Sequence, residues 1–400
     1  MFETIDEALE WLMNRRNNNS SFEHFKKVCK DLGNPQDRIK TVHVAGTDGK
    51  GSTVNYLSDL LMSQGFKVGT MTSPHYITHL DRIRVNGNNI DADFVLKEIN
   101  NNYDFYIENN LSMFEIDFLM AFDYFCKENV DYAIIEVGIG GRFDSTNVLS
   151  KPLLEIITTI GYDHMDKLGN TLPEICFEKC GIIKEDTDVL IGYLNDECKE
   201  VVRKTVNDRN CRLYELDEYT DLGNRRFRFH NNEYELTSYA SYQLHNASLA
   251  LYGLEILSDI QKFTIDINNA KTALKQSLWH CRFEIVKNNP TVILDGAHNI
   301  HGIEALCESF DKLIGSKCII FSALKRKEYR KMVEMLKNHT DKLIITSFDS
   351  NEVIDLEEFN EYDIDYDYRH AIDEAIKLYD NVLICGSLYF MSDVVLNYKF

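Results

Sequence analysis

Two hydrophobic patterns alternate along the chain. Short, nearly unbroken apolar runs (Thr41–Ala45, Tyr132–Ile135, Leu154–Ile160) are separated by longer stretches whose apolar residues recur every three to four positions. Unbroken runs suit strands buried on both faces of a parallel sheet, and the longer spacing is helical. The pattern predicts helices over Ile5–Arg15, Phe22–Leu32, Asp91–Asn109, Met113–Glu128, Thr171–Lys184, Asp196–Val206, Gln243–Leu257 and Ile267–Leu278. Ser20 and Ser21 can cap the second of these. Further strands are expected at Lys67–Met71 and Asp188–Gly192, a tight Asn86-Gly87 turn after Arg82–Val85, and a polar hairpin over Asn224–Leu236. Beyond a boundary in Trp279–Pro290, strands Thr291–Asp295, Cys318–Ser322, Leu343–Thr346 and Val382–Cys385 alternate with helical stretches, which makes a second, smaller doubly wound α/β unit. The helix Met113–Glu128 is apolar nearly all round, yet it carries Glu115 and Asp117. Either one of them faces a site, or both lie on a solvated helix edge.

Four hundred residues, 44% apolar and 27% charged, describe an ordinary globular chain with room for a full core in each of two domains. A net charge of −21 argues against nucleic acid as a partner, but small anions need only a local basic pocket. No stretch approaches the roughly 20 apolar residues of a membrane span, and the acidic start predicts no signal peptide. The ten cysteines are scattered. Cys176 and Cys180 sit a helical turn apart, but no second pair completes a zinc set. Reduced thiols in a cytoplasmic enzyme are expected.

The chemistry concentrates at strand ends. After Thr41–Ala45 comes Gly46-Thr47-Asp48-Gly49-Lys50-Gly51-Ser52, a glycine-rich turn that opens a helix. Such a turn offers backbone amides to phosphate oxygens, with Lys50 for the terminal phosphates and Ser52 for Mg²⁺. The spacing is not that of the plain phosphate-loop pattern, because a glycine separates the lysine from the serine. Tyr132–Ile135 runs into Glu136, and Leu154–Ile160 into Gly161-Tyr162-Asp163-His164. Ligands of open α/β sheets sit beyond the carboxyl ends of the strands, so Lys50/Ser52, Glu136 and His164 are offered to one edge. In that company His164 reads as a metal ligand, whereas Lys179, judged alone, reads as a surface lysine. Asp295-Gly296-Ala297-His298-Asn299 occupies the corresponding strand end of the second unit.

Ordered motifs spread over nearly the whole chain resemble the folylpolyglutamate synthase/dihydrofolate synthase family of the Mur ligase superfamily. They are Leu32–Gln36, His43–Thr53, Thr72–Gly87, Glu136–Val148, Asp163–Thr171, Glu178–Lys184, Trp279–Glu284, Asp295–Asn299 and Gly386–Phe390. The resemblance implies an N-terminal phosphate-loop ATPase-type domain with a mostly parallel sheet, residues 1–283, and a smaller C-terminal Rossmann-like glutamate ligase domain, residues 284–400. It implies ATP and L-glutamate as co-substrates, a reduced folate or dihydropteroate as acceptor, and a monomer with neither nucleic acid nor membrane as partner. By the same resemblance Ser52, Glu136 and His164 bind Mg²⁺, for which Mn²⁺ can substitute. Lys179 is carbamylated, and Gln243, Asn246, Arg282 and Asp295 contact the nucleotide with residues 46–52. His298 and Ser387 lie near the incoming glutamate. Thr72, Ser73, His75, Asp81, Arg82, Arg142 and Asp144 wall the folate site. The chain departs from the family pattern at Asp48, Asp81, Tyr242, His280-Cys281 and Ile300, and none of these removes a metal or phosphate ligand.

Two other classes compete. A non-catalytic folate- or nucleotide-binding relative would not need the intact set Lys50, Ser52, Glu136, His164, Lys179 and Arg282. A muramyl-type ligase carries an additional N-terminal substrate domain, and about 40 residues before the first strand are too few for one. Folylpolyglutamate synthase, bifunctional or not, is the favoured reading, with dihydrofolate synthase as the alternative.

Overall fold

The computed structural model describes residues 1–15 and 21–400, so Ser20 as a cap lies outside the described residues. Ser21 caps the helix Phe22–Asp31 by accepting from the His24 amide. By internal contacts the chain forms two compact units, residues 1–218 with 246–274, and residues 219–245 with 275–400. The chain passes from one to the other within the helix Ser241–Gln261.

The first unit is built on eight strands: β1 (Lys40–Ala45), β2 (Val68–Met71), β3 (Ile83–Val85), β4 (Asn88–Asn89), β5 (Tyr132–Glu136), β6 (Leu154–Ile157), β7 (Asp188–Ile191) and β8 (Arg212–Glu215). They lie in the order β4-β3-β2-β5-β1-β6-β7-β8, parallel except at the β2/β3 and β3/β4 pairs. β1 is central and buried on both faces, one face carrying Val42 and Val44 and the other Thr41, His43 and Ala45, and helices cover it on each side. Its register pairs Val44 with Glu136 of β5 and Ala45 with Ile157 of β6. The loops after β1, β2, β5 and β6 therefore leave from one sheet edge. On one face Phe25, Phe118, Phe122 and Phe125 form a fully buried aromatic core. On the other, Ile157, Ile182, Val189 and Val202 close a second core under the helix Asp196–Asp208.

The second unit has a three-stranded antiparallel sheet, β9 (Tyr219–Gly223), β10 (Arg226–Phe229) and β11 (Asn232–Glu235), and a six-stranded sheet. The latter comprises β12 (Glu284–Asn288), β13 (Thr291–Asp295), β14 (Lys317–Phe321), β15 (Lys342–Thr346), β16 (Asp363–Asp365) and β17 (Asn381–Cys385). Its order is β12-β13-β17-β14-β15-β16, parallel apart from the β12/β13 pair.

Several boundaries differ from the sequence expectation. The run Leu154–Ile160 is strand only to Ile157, because the Thr158 and Thr159 hydroxyls both donate to the Asp48 carbonyl and turn the chain toward the glycine loop. The helix expected to Lys184 ends at Cys180. There Gly181 lies against the Arg142 backbone so closely that a Cβ would collide with it. Arg82, expected in a strand, belongs to a 3₁₀ turn, His79–Arg82. The strands β8, β9, β12 and β16 lack the long apolar runs on which the expectation rested. Among the described residues no helix is long and apolar enough to cross a membrane.

Candidate active site

The glycine loop after β1 is held from both ends. Thr47 donates its amide to the Thr159 carbonyl at 2.8 Å, and its hydroxyl exchanges hydrogen bonds with the Gly161 backbone. The Asp48 amide donates to Thr159 Oγ1 at 3.1 Å. Gly49, which precedes the helix Lys50–Ser63, has φ +81°, and a Cβ there would run into the Asn246 amide group. Only glycine fits both demands. Asn246 thus lies against the loop, and Ser52 is buried in the first helical turn.

Two lysines converge on this loop. Lys50 Nζ donates to the carbonyls of Gly46 and Thr47 at 3.1 and 3.0 Å. Lys179 Nζ donates to the same Gly46 carbonyl at 2.8 Å. Lys179 is buried at 4% exposure, so it is not a surface lysine. The helix Leu172–Cys180 turns it inward, on the face away from half-exposed Phe177. Burial, with the Lys50 charge second, pushes its ammonium down to about 7, against the pull of Asp163 and Asp48.

Glu136, the last residue of β5, is buried, and its Oε2 accepts the Ser73 amide at 3.1 Å. This ties the end of β5 to the loop after β2. His164 follows β6, in left-handed conformation (φ +49°), with its side chain partly exposed and 3.9 Å from Asp163. Glu136 and His164 therefore come from the two strands flanking β1. Among the described residues no three His, Cys, Asp or Glu side chains cluster as a metal site. The expected set draws two residues from those types and one hydroxyl. Carboxylate and hydroxyl oxygens suit a hard divalent cation that keeps water and phosphate as its other ligands, and imidazole also accommodates Mn²⁺.

Of the residues expected to wall the folate site, some hold their own loops. Asp81 accepts from the amides of Tyr76, Ile77 and Thr78, which fixes the turn. Asp144 accepts from the Ile139 amide and from the amide and hydroxyl of Thr146. Burial raises its carboxyl above the ordinary range against those hydrogen bonds. Thr72 pairs its amide with the Arg82 carbonyl, and the His75 ring lies 5.5 Å from that of His79. Arg142 is half exposed, its guanidinium 4.9 Å from the Phe143 ring centre and 5.2 Å from that of Phe177. Beside Phe177 an open cavity of about 470 Å³ is lined by Lys167, Leu168, Pro173 and Glu174.

Glu115 and Asp117 are both buried, so the solvated-edge alternative fails. Glu115 completes a capping box with Ser112. Asp117 instead pairs with His79 and Arg82. Sequence reasoning flagged Asp117 without its partners, and it missed Thr158 and Thr159, whose short β-branched run carries no sign of a supporting role.

In the second unit, Asp295 at the end of β13 accepts from the amides of Phe283 and Ala297 at 2.8 Å and from the Tyr242 hydroxyl. Burial raises its carboxyl, opposed by the nearby Arg282 guanidinium. His298 Nδ1 lies 2.9 Å from the Gly296 carbonyl, and Ser387 caps the helix Leu388–Asn397. Gln243 is buried near the start of the helix Ser241–Gln261.

Comparison with known proteins finds two family domains along the chain. Residues 44–258 match the Mur ligase middle domain, and residues 281–388 the Mur ligase glutamate ligase domain. The chain is 34% identical to the dihydrofolate synthase/folylpolyglutamate synthase of Bacillus subtilis (strain 168), over 98% of this chain and 99% of that one. Among solved structures, folylpolyglutamate synthase from Thermotoga maritima superposes with a TM-score of 0.84 at 29% identity, covering 99% of this chain and 97% of the other. An FPGS–AMPPCP–folate complex also gives a TM-score of 0.84, at 26% identity, covering 99% of this chain and 100% of its own. With both Mur ligase domains present and a relative matched from end to end, this chain belongs to the dihydrofolate synthase/folylpolyglutamate synthase family of Mur ligases.

Proposed function

We propose that this ATP-dependent ligase joins the amino group of L-glutamate to a folate carboxylate through an acyl phosphate. The acceptor is a reduced folate; dihydropteroate is the second acceptor, a reading favoured by the double name of the Bacillus subtilis relative. A carboxylate is inert toward amines until one of its oxygens is phosphorylated. The terminal phosphoryl of ATP passes to that oxygen and ADP leaves. The neutral glutamate amine then attacks the carbonyl carbon, a tetrahedral centre forms and collapses, and phosphate departs with the amine losing a proton. The known binding of AMPPCP and folate by a structural relative supports both substrates.

The observation that carries this proposal is the pair of lysines on the Gly46 carbonyl. Two lysine nitrogens gathered on one carbonyl of a glycine loop, with Lys50 carrying the positive charge, suit an anion such as a triphosphate at the loop amides. Lys50 follows the terminal phosphates, where charge develops during transfer. Ser52, Glu136 and His164 would hold Mg²⁺ or Mn²⁺, which supplies positive charge to the transferred phosphoryl. Lys179 fits carbamylation: with its ammonium pushed down to about 7, about half the amine is neutral near pH 7, so nitrogen can add to CO₂ with loss of a proton. The resulting anion turns a second cation into a partner for Lys50 and the metal.

For the second unit, Arg282, Asp295 and Gln243 are assigned to the nucleotide, and His298 and Ser387 to glutamate. The division at residues 283/284 goes with this assignment; the two family matches run to 258 and from 281. A monomer in the cytoplasm completes it. The test is an assay with ATP, Mg²⁺ and glutamate, offering tetrahydrofolate and dihydropteroate separately, with product masses measured. Gain of a glutamyl unit by either acceptor is the expected result, and gain by neither would refute the proposal.

A further inference from the structure

Asp117 lies in the middle of the helix Met113–Lys127 with no exposure, among Phe118, Phe122 and other core residues. A carboxylate there is costly unless paired. Its Oδ1 is 2.7 Å from His79 Nε2 and its Oδ2 2.9 Å from Arg82 Nε. Both partners belong to the 3₁₀ turn His79–Arg82 that closes the loop after β2. Burial alone would raise the Asp117 carboxyl, but His79 and Arg82 outweigh it and hold it below the ordinary carboxylate range.

Arg82 is 5% exposed. Its Nε is near Asp117 Oδ2 but off line, and neither atom has a hydrogen-bond partner among the described residues. The guanidinium lies 5.5 Å over the Phe114 ring centre, which offers no acceptor oxygen. A fork of five donors in this position is held by charge at one corner and by an aromatic face beneath. Buried donors without acceptors are unfavourable, and a ligand that supplies acceptors relieves this.

We infer that Asp117 is a positioning residue for folate recognition: it fixes His79 and aims the Arg82 guanidinium, whose open donors take an acceptor oxygen of the folate. This rests on the folate-ligase reading of the preceding section. The oxygen belongs either to the pterin–benzoyl part or to a glutamyl carboxylate. The two acceptors distinguish these sources, because dihydropteroate has no glutamyl group. Asp117 acts through Arg82 and does not itself touch the acceptor.

The test is steady-state kinetics of wild type, Asp117→Asn and Arg82→Lys with each folate acceptor. Asn keeps the volume and removes the charge. Lys leaves a cation beside Asp117, so it keeps the fold if Asp117→Asn does not fold, yet it lacks the fork. The expected result is a rise of about tenfold in KM for the acceptor in both variants, with KM for ATP and glutamate within about twofold of wild type. A rise with both acceptors places the oxygen in the pterin–benzoyl part, and a rise with tetrahydrofolate alone places it in the glutamyl group. A wild-type acceptor KM in a folded variant overturns the inference, as does an equal rise in all three KM values, which a merely structural Asp117 would give. Failure of the folate-ligase reading looks different, since the wild-type protein itself would then add glutamate to neither acceptor.

Discussion

Replacing Lys179 by methionine should make the protein more stable and nearly inactive. The side chain is buried, its ammonium is pushed down from 10.5 to about 7, and burial is the largest cause. That fall corresponds to about 5 kcal/mol of unfavourable burial when the lysine is charged. Below about pH 7 folded and unfolded chains both hold the proton, and the full cost is felt. Between about 7 and 10.5 only the unfolded chain holds it, so stability rises with pH through that window. Methionine removes the charge at the loss of the hydrogen bond to Gly46, about 1 kcal/mol. In CO₂-free buffer, where the lysine stays unmodified, and allowing for imperfect packing, the variant should gain about 2–4 kcal/mol at pH 6, and the gain should shrink toward zero by pH 10. Ligation should fall by a factor on the order of 10² or more, because the group proposed to become a carbamate beside the transferred phosphoryl is lost. Calorimetry at pH 6 and 9 reads the first effect and the glutamate ligation assay the second. Carbon-13 NMR of the wild type in labelled bicarbonate should show a carbamate resonance that the variant lacks. A variant less stable than wild type at pH 6, or one of full activity, would refute the reasoning.

Lys50→Ala should stay folded, since among the described residues Lys50 hydrogen-bonds to the loop carbonyls of Gly46 and Thr47. Phosphoryl transfer should drop on the order of 10²-fold, and wild-type turnover would remove its assignment to the terminal phosphates. Gly49→Ala meets both a left-handed φ and the Asn246 side chain. It should lower the melting temperature, cost about 1–2 kcal/mol or more and weaken nucleotide binding in calorimetric titration. Glu155 is buried and raised to about 8, with burial the first cause. The folded state therefore holds a proton that the unfolded chain releases near its ordinary pKa, and stability falls as pH rises between about 4.5 and 8. Glu155→Gln should flatten that slope in pH-dependent denaturation, stabilising at pH 8 and changing little at pH 4; an unchanged slope would count against it.

The elements legible in the sequence were those whose signal is local. β1, β5 and β6 announce themselves because a strand buried on both faces carries mostly apolar residues, whatever its neighbours, with Thr41, His43 and Glu155 among the polar exceptions. Gly46–Ser52 is legible for a related reason: a tight strand-to-helix turn needs glycines at set places, and its lysine and serine follow immediately in the chain. Tertiary structure decided what depends on residues far apart. Nothing near Lys179 in sequence says that its helix turns it toward Gly46, and that burial beside Lys50 is what shifts its ammonium. Asp117 signalled a conflict, a carboxylate in an apolar helix, but its resolution lies in His79 and Arg82, supplied by another segment. Asp144 carries a motif that suggests a ligand contact, while its oxygens are engaged by the loop it organises. Strands such as β8 and β16 exist because neighbouring strands offer hydrogen bonds at a sheet edge, so their own residues need little hydrophobic pattern. Local periodicity records which face of an element is buried. The partner that buries it, and the charge or pKa that results, is fixed only when the chain closes on itself.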